Sequence, residues 1–430
     1  MPRVGIFRRM APGQRLSGDD VARLHMDRRD NPMAITAVVR LAAPLPFEAL
    51  TARVRERLLP RPRFTDRVVD PALGAARWEP DVAFDLREHL HHLALPAPGD
   101  DAALAALVED LAGAPLDPRV PLWHLHLVDG VGAGCALVFR VHHVVVDGVA
   151  LVDVLLGLTD EGAGDWLPPS VRPPSHGGLL RALAPAVGLA SLALSRPDPA
   201  GPLTRPHLAH KRLAWSHPLA LDALKEAGRA RSVGVTAMIL ATVTGALRAV
   251  LAARGPVAPG LTMRAMVPLS VRGEGEGGAL GNRYASVFVA LPVGAASRGE
   301  RVAAVRRALE RAKVAGGLDG AKALVRVAGR VGSFVERLGV EHLSRRASLV
   351  VSNVPGPRGE RHLEGRRLDA VVAFAPVTGT LGLGVTCVGY GGAVSVGVAS
   401  GLDDASLPDE LAAAIDREFE ALTSTAPGGG

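Results

Sequence analysis

The stretch Val141-His142-His143-Val144-Val145-Val146-Asp147-Gly148 decides how this chain is read. A β-branched run from Cys135 to Val141 reads as a strand, and it ends on two histidines. Asp147-Gly148 then turns the chain into an apolar helix over Val149 to Leu158. Adjacent strand residues point to opposite faces, so one imidazole should face the interior and the other a cleft. A cleft histidine with a pKa near neutrality is a natural base for an alcohol or an amine. Asp147 is placed to hold the loop through local hydrogen bonds or a nearby arginine. Gly148 would permit a tight turn that a Cβ would obstruct. Two plainer readings compete. The pair could simply close a buried strand, or His143 and Asp147 could bind a metal, for which too few further ligands sit nearby in sequence.

Working outward, Leu122 to Val128 alternates apolar residues with histidines in strand fashion, and Phe47 to Leu59 and Ala102 to Ala114 read as helices. Residues 1–162 thus form one mixed α/β block. From 163 to 208 the texture changes. Pro168-Pro169, Pro173-Pro174, Gly177-Gly178 and Arg196-Pro197-Asp198-Pro199 mark a linker around one short apolar helix. Residues 209–430 form a second block. Helices are expected over Leu219 to Arg229, Thr236 to Arg254 (closed by Gly255), Arg301 to Leu318 and Leu407 to Leu422. Strands are expected over Leu261 to Leu269, Tyr284 to Leu291, Ala347 to Val354 and Ala393 to Ala399, and a disordered tail follows the last helix.

Composition narrows the class. The 430 residues suffice for two domains, and a 48% hydrophobic fraction is too high for a disordered chain. Net charge is +6, and lysine occurs only at 211, 225, 313 and 322, so arginine supplies almost all of the cations. Such a chain could meet an anionic cofactor, an anionic membrane surface or nucleic acid. Nucleic acid fits least: aromatics are 3%, basic residues are spread along the chain, and no recognition motif is visible. Cys135 and Cys387 stand alone, which argues against a disulfide framework or a structural zinc site and fits a reducing cytoplasm.

Met1 to Met10 has no apolar run behind it, so no signal peptide is read. Ala182 to Ser195 is uncharged but short of a span and interrupted by Pro185. Ala370 to Leu402 is uncharged, broken by glycines and rich in Val and Thr, the texture of buried strands and turns. The chain therefore reads as soluble or peripheral, with Leu179 to Leu194 able to lie on a membrane around Arg181. Gly273-Glu274-Gly275-Glu276-Gly277-Gly278 precedes a strand and carries two acids, so it reads as a loop and not a dinucleotide site. The His-rich Glu88-His89-Leu90-His91-His92 reads as structural. No G-x-S-x-G nucleophile elbow occurs.

The string His142-His143-x-x-x-Asp147-Gly148 resembles the signature of the CoA-dependent acyltransferase superfamily. The surrounding segments are similar, in order, to the bacterial wax ester synthase/diacylglycerol acyltransferase family: Asn31-Pro32-Met33, Pro62-Arg63-Phe64, Phe84-Asp85-Leu86 with His89, Pro115-Leu116-Asp117 and Pro121-Leu122-Trp123. After the histidines come Met266-Val267-Pro268-Leu269-Ser270, Leu280-Gly281-Asn282 with Ser286, and Ser352-Asn353-Val354-Pro355-Gly356-Pro357. The resemblance spans residues 17 to 423.

It implies an α/β (α+β) fold of two chloramphenicol-acetyltransferase-like lobes with mixed sheets and a tunnel between them. By the same resemblance His143 is the catalytic histidine and His142, Asp147 and Gly148 support it. Asn282, Ser286, Asn353 and Thr236 are candidates to line the site or donate to an oxyanion. No metal and no bound cofactor are implied; acyl-CoA is a co-substrate, and diacylglycerol or a fatty alcohol accepts the acyl group. The setting implied is the cytoplasm, with peripheral contact at the inner membrane face or a lipid droplet. Two other readings are a lipid-binding paralogue and a CoA-dependent acyltransferase for another alcohol or amine.

Two positions depart from the family pattern. Where the family has an Asn-Asp pair at the start of the second-lobe helix, this chain has Thr236-Ala237, and Thr236 is expected to cap that helix. His124 follows Pro-Leu-Trp where the family more often has Glu.

Overall fold

The computed structural model describes residues 13–28, 31–71, 74–162, 198, 203, 211–270, 280, 282, 284–314, 346–377 and 381–424. Most of the expected linker, the segment 179–194, the Gly273–Gly278 loop, the end of the helix expected to reach Leu318 and the C-terminal tail lie outside these residues.

In chain order the first half builds α1 (Gly18–Met26), β1 (Ala34–Leu41), α2 (Phe47–Arg57), β2 (Asp66–Val69), β3 (Arg77–Pro80), β4 (Leu90–Ala94), α3 (Asp101–Gly113), β5 (Trp123–Val131), β6 (Gly134–His142) and α4 (Gly148–Leu158). The second half builds β7 (Arg212–Trp215), β8 (Leu219–Ala220), α5 (Leu221–Ala230), α6 (Val235–Arg254), β9 (Met263–Ser270), β10 (Tyr284–Leu291) and α7 (Arg298–Val314). It ends with β11 (Leu349–Val354), β12 (His362–Leu363), β13 (Arg366–Phe374), β14 (Leu383–Tyr390), β15 (Ala393–Ser400) and α8 (Leu407–Ser424).

The first sheet centres on β6, all of whose residues are buried because both faces are covered. Cys135, Leu137, Phe139 and Val141 join one core with α4, whereas Ala136 and Val138 join another beneath α3. The strand order is β12-β13-β1-β6-β5-β4, antiparallel except for the β4–β5 pair. Helix α4 buries Leu151, Val154, Leu155 and Leu158 beneath it, each stabilising by about 1.5–3 kcal/mol relative to exposure.

The second sheet runs β10-β9-β11-β14-β15-β7, with β8 beside β15. One face carries Ala265, Val287, Leu349, Val351 and Val385 into a core filled by α6, α7 and α8. Helix α6 is long and apolar enough to cross a membrane by length and composition, but 67% of its apolar window is buried in the protein. It is a core helix here.

The sheets are not divided strictly as the sequence blocks are. Residues 362–374, expected in the 209–430 lobe, supply the edge of the first sheet, with β13 paired along β1. The β12–β13 turn is anchored there by Asp160, whose carboxylate accepts from the main-chain N–H groups of Glu364 and Gly365 at 3.0 and 2.8 Å. Arg53 on α2 bridges Asp160 and Glu364 at 2.7 and 2.6 Å. Val354, Val388 and Tyr390 pack into the core of the first sheet, so the two halves share apolar surface as well.

Candidate active site

Strand β6 ends at His142, which is 1% exposed. Its Nδ1 accepts the main-chain N–H of Val144 at 3.0 Å, which fixes the tautomer with the proton on Nε2. That nitrogen faces the Asp27 carboxylate at 3.7 Å. His143 begins the turn, and only part of its side chain reaches the surface. Its main-chain N–H donates to the Met33 carbonyl at 2.8 Å, and Met33 N–H in turn donates to Asp27 at 2.7 Å.

The turn is held from three sides. Arg63 donates to the carbonyl of Val144 at 3.0 Å and lies 3.6 Å from the Asp20 carboxylate. Asp20, 1% exposed on α1, accepts from the Asn282 side chain at 2.8 Å. Asn282 also donates to the main-chain carbonyl of His143 at 2.6 Å. A buried network therefore joins the two halves of the chain through the backbone of the His143 turn.

Around the imidazole stand Tyr284, with ring centroids 5.9 Å apart, and Arg23, whose guanidinium lies 4.9 Å over the Tyr284 ring. Arg23 donates to the Tyr284 hydroxyl. Burial, and then the Arg23 charge, push the His143 pKa down to about 4, against smaller raising effects of its own carbonyl and Asp147. At neutral pH this imidazole is uncharged, and burial sets its pKa well below the near-neutral value expected of a cleft base.

The other expected residues fall in differing places. Asp147 is the N-cap of α4: its Oδ1 accepts from Ala150 N–H at 2.9 Å, so its local bond is to a helix start. Gly148 is the first residue of α4 and has no positive φ. The expected tight turn is not the reason for it. A Cβ there would stand 3.0 Å from Val354 Cγ2, so closeness to the Val354 strand is. Thr236 does not cap α6, since Gly234 occupies the N-cap without a side-chain bond. Thr236 Oγ1 instead accepts from Asn353 at 3.2 Å. Strand alternation puts Asn353 on the helix-packed face with Leu349 and Val351. Ser286 is half-buried on β10, on the same face as Tyr284.

Asp20, Arg23, Arg63 and Tyr284 also belong to the site; of these only Arg63 lies in a family segment quoted above, Pro62-Arg63-Phe64, and that segment does not assign it to the site. Ser17 caps α1 by accepting from Asp20 N–H at 3.1 Å. That Ser-x-x-Asp spacing could have marked α1 as a helix, though not which core its Asp and Arg enter.

Comparison with known proteins bears on the fold and the family. The structure superposes on a wax ester synthase/diacylglycerol acyltransferase from Marinobacter aquaeolei VT8 with a TM-score of 0.70 at 22% identity, covering 96% of this chain and all of that one. It also superposes on the first condensation domain of the CDA synthetase, with a TM-score of 0.64 at 14% identity, over 97% and 98% of the two chains. The fold is thus the two-lobed, chloramphenicol-acetyltransferase-like α/β architecture.

Residues 16–315 match the family described as wax ester synthase/diacylglycerol acyltransferase catalytic domain, and residues 280–423 its C-terminal domain. A putative diacylglycerol O-acyltransferase of Mycobacterium bovis and a probable one of Mycobacterium tuberculosis are each 28% identical over 418 residues. Those alignments cover 89% of this chain and 90% of the relative. The chain belongs to the wax ester synthase/diacylglycerol acyltransferase family, and it is an acyltransferase.

Proposed function

We propose that this enzyme esterifies the hydroxyl of diacylglycerol or a long-chain alcohol with a fatty acyl group taken from CoA, and that His143 is its general base. The observation that supports the base is an uncharged imidazole on a backbone pinned by Met33 and Asn282. An alcohol is too weak an acid to attack unaided, so a base must take its proton as the bond forms. The hydroxyl oxygen adds to the thioester carbonyl while the His143 ring accepts the proton. Collapse of the tetrahedral intermediate breaks the C–S bond, and the imidazolium returns the proton to the departing thiolate. A thioester is already an activated acyl donor, so no nucleophilic serine is needed.

The oxyanion needs a donor. The Tyr284 hydroxyl accepts from Arg23 and keeps its own hydrogen for an oxygen bound beside His143. Asn282 is assigned a positioning role, because its side-chain nitrogen is already committed to Asp20 and to the His143 carbonyl. Both acceptor classes reside in membranes or droplets. On this reading the enzyme meets its acceptor at the inner membrane face or a droplet surface, helped on an anionic surface by its net charge of +6.

The test incubates purified protein with palmitoyl-CoA and diacylglycerol, hexadecanol or an alkylamine, following released thiol and lipid product. Ester should form with the alcohols, and His143→Ala should lower the rate by about 100-fold or more while the circular dichroism spectrum stays native. Retention of more than about a tenth of the rate would remove His143 as the base. Absence of thiol release with every acceptor would favour a lipid-binding paralogue.

A further inference from the structure

Away from His143, on the α3-facing side of the first sheet, three imidazoles converge. The parallel β4–β5 pairing sets His91 beside His126, and His124 shares the face of His126 two residues earlier. The His91 and His126 rings stack at 4.8 Å between centroids, and His124 stands edge-on to both, at 5.2 and 6.0 Å. One ring nitrogen of each lies within 4.8 Å of the others.

We propose that His91, His124 and His126 form a three-histidine site for a divalent transition metal of the zinc class, tying edge strand β4 to β5. Imidazole is the preferred ligand of such ions, and three of them leave the fourth tetrahedral position to water. His126 is 5% exposed, and its Nδ1 faces the Val138 carbonyl at 3.3 Å, which orients the ring and leaves Nε2 as the lone-pair nitrogen.

Burial lowers the pKa of all three, to about 3 for His124 and about 4 for His126. Bonds of about 2.0–2.1 Å require the nitrogens to draw together by about 1.5 Å. His91 and His124 are only partly buried and can turn to do so. Arg140 lies across from His124, and its charge opposes a cation at all three rings; its guanidinium is held by donating to the Ala114 carbonyl at the end of α3. The rest of the His-rich stretch is spoken for: His89 stacks on Phe84 and Trp123, and His92 pairs with Asp129 at 2.7 Å.

The experiment uses the untagged full chain, stripped with chelator and titrated with Co²⁺ and then Zn²⁺. Visible absorption of tetrahedral Co²⁺ should saturate at one ion per chain, and Zn²⁺ should displace it and raise Tm by a few degrees. His124→Gln and His91→Gln, both at partly exposed positions, should each abolish the absorption and the Tm rise while remaining folded without metal. A wild-type chain with neither response would overturn the site, as would variants that bind Co²⁺ as the wild type does.

Discussion

Asn282 donates at 2.6 Å to the main-chain carbonyl of His143 and at 2.8 Å to the Asp20 carboxylate, so a second-half residue fixes the turn carrying the first-half imidazole. Asp20 is 1% exposed and Asn282 8%, so water cannot readily replace the amide. The His143 imidazole is therefore positioned by a bond across the halves, not by the strand alone.

Asn282→Ala should leave two acceptor oxygens with one donor fewer, at about 1–3 kcal/mol each. Turnover is expected to fall by about tenfold or more with KM for acyl-CoA little changed, together with a lower Tm. Asn282→Asp should be worse, because it sets a second carboxylate against Asp20. A lower Tm with unaltered turnover per folded molecule would reduce Asn282 to a stability role.

Much of this architecture is legible in the sequence. The strand and helix flanking His142-His143, α2, α3, β10 and α8 follow directly from apolar periodicity and from caps. Other features are not. The second half of β13 opens the uncharged stretch from Ala370, whose texture says strand but not which sheet, and its place beside β1 depends on Asp160 and Arg53, far away in sequence. The Asp20–Arg63–Asn282 network joins three distant segments, and no local spacing encodes such contacts. Thr236 departs from expectation for a local reason. Intrinsic propensity favours Thr as a cap, but Gly234 takes that position two residues earlier and leaves the Thr236 hydroxyl to Asn353.

The His143 environment makes a prediction about pH. Its pKa is pushed down to about 4 by burial and then by Arg23, so the basic form persists well below neutrality. Rate against pH should stay flat from about 8 to about 5 and fall only as the pH approaches about 4. Arg23→Gln removes a cation that disfavours the imidazolium, so the acid limb should move to higher pH. A limb that stayed in place, or moved to lower pH, would show that Arg23 does not act on the titrating group.

Asp147 separates capping from charge. Asn caps helices about as well as Asp, whereas Ala does not. Asp147→Asn should therefore hold Tm near that of the wild type, and Asp147→Ala should lose about 0.5–2 kcal/mol. Because the Asp147 charge raises the His143 pKa, both variants should also move the acid limb slightly downward. Equal destabilisation by the two substitutions would mean that the carboxylate charge, and not the cap, holds the loop.

Packing decides what the Thr236-Ala237 departure does. Ala237 is 4% exposed within the apolar core around α6, so Ala237→Asp would bury a carboxylate there. An unpaired charge in such a place destabilises strongly, although the free N–H groups at the start of α6 would offset part of it. Thr236→Asn keeps an oxygen for the Asn353 amide, whereas Thr236→Val removes it and should cost about 1–3 kcal/mol. The expected order of Tm is wild type and Thr236→Asn together, then Thr236→Val, then the double variant Thr236→Asn with Ala237→Asp. Turnover per folded molecule should be nearly constant across the first three, because the Thr236–Asn353 bond lies on the helix-packed face of β11 with Leu349 and Val351. A double variant with raised turnover would place the family's Asn-Asp pair in the chemistry, and the face assigned here to Asn353 would then be the wrong one.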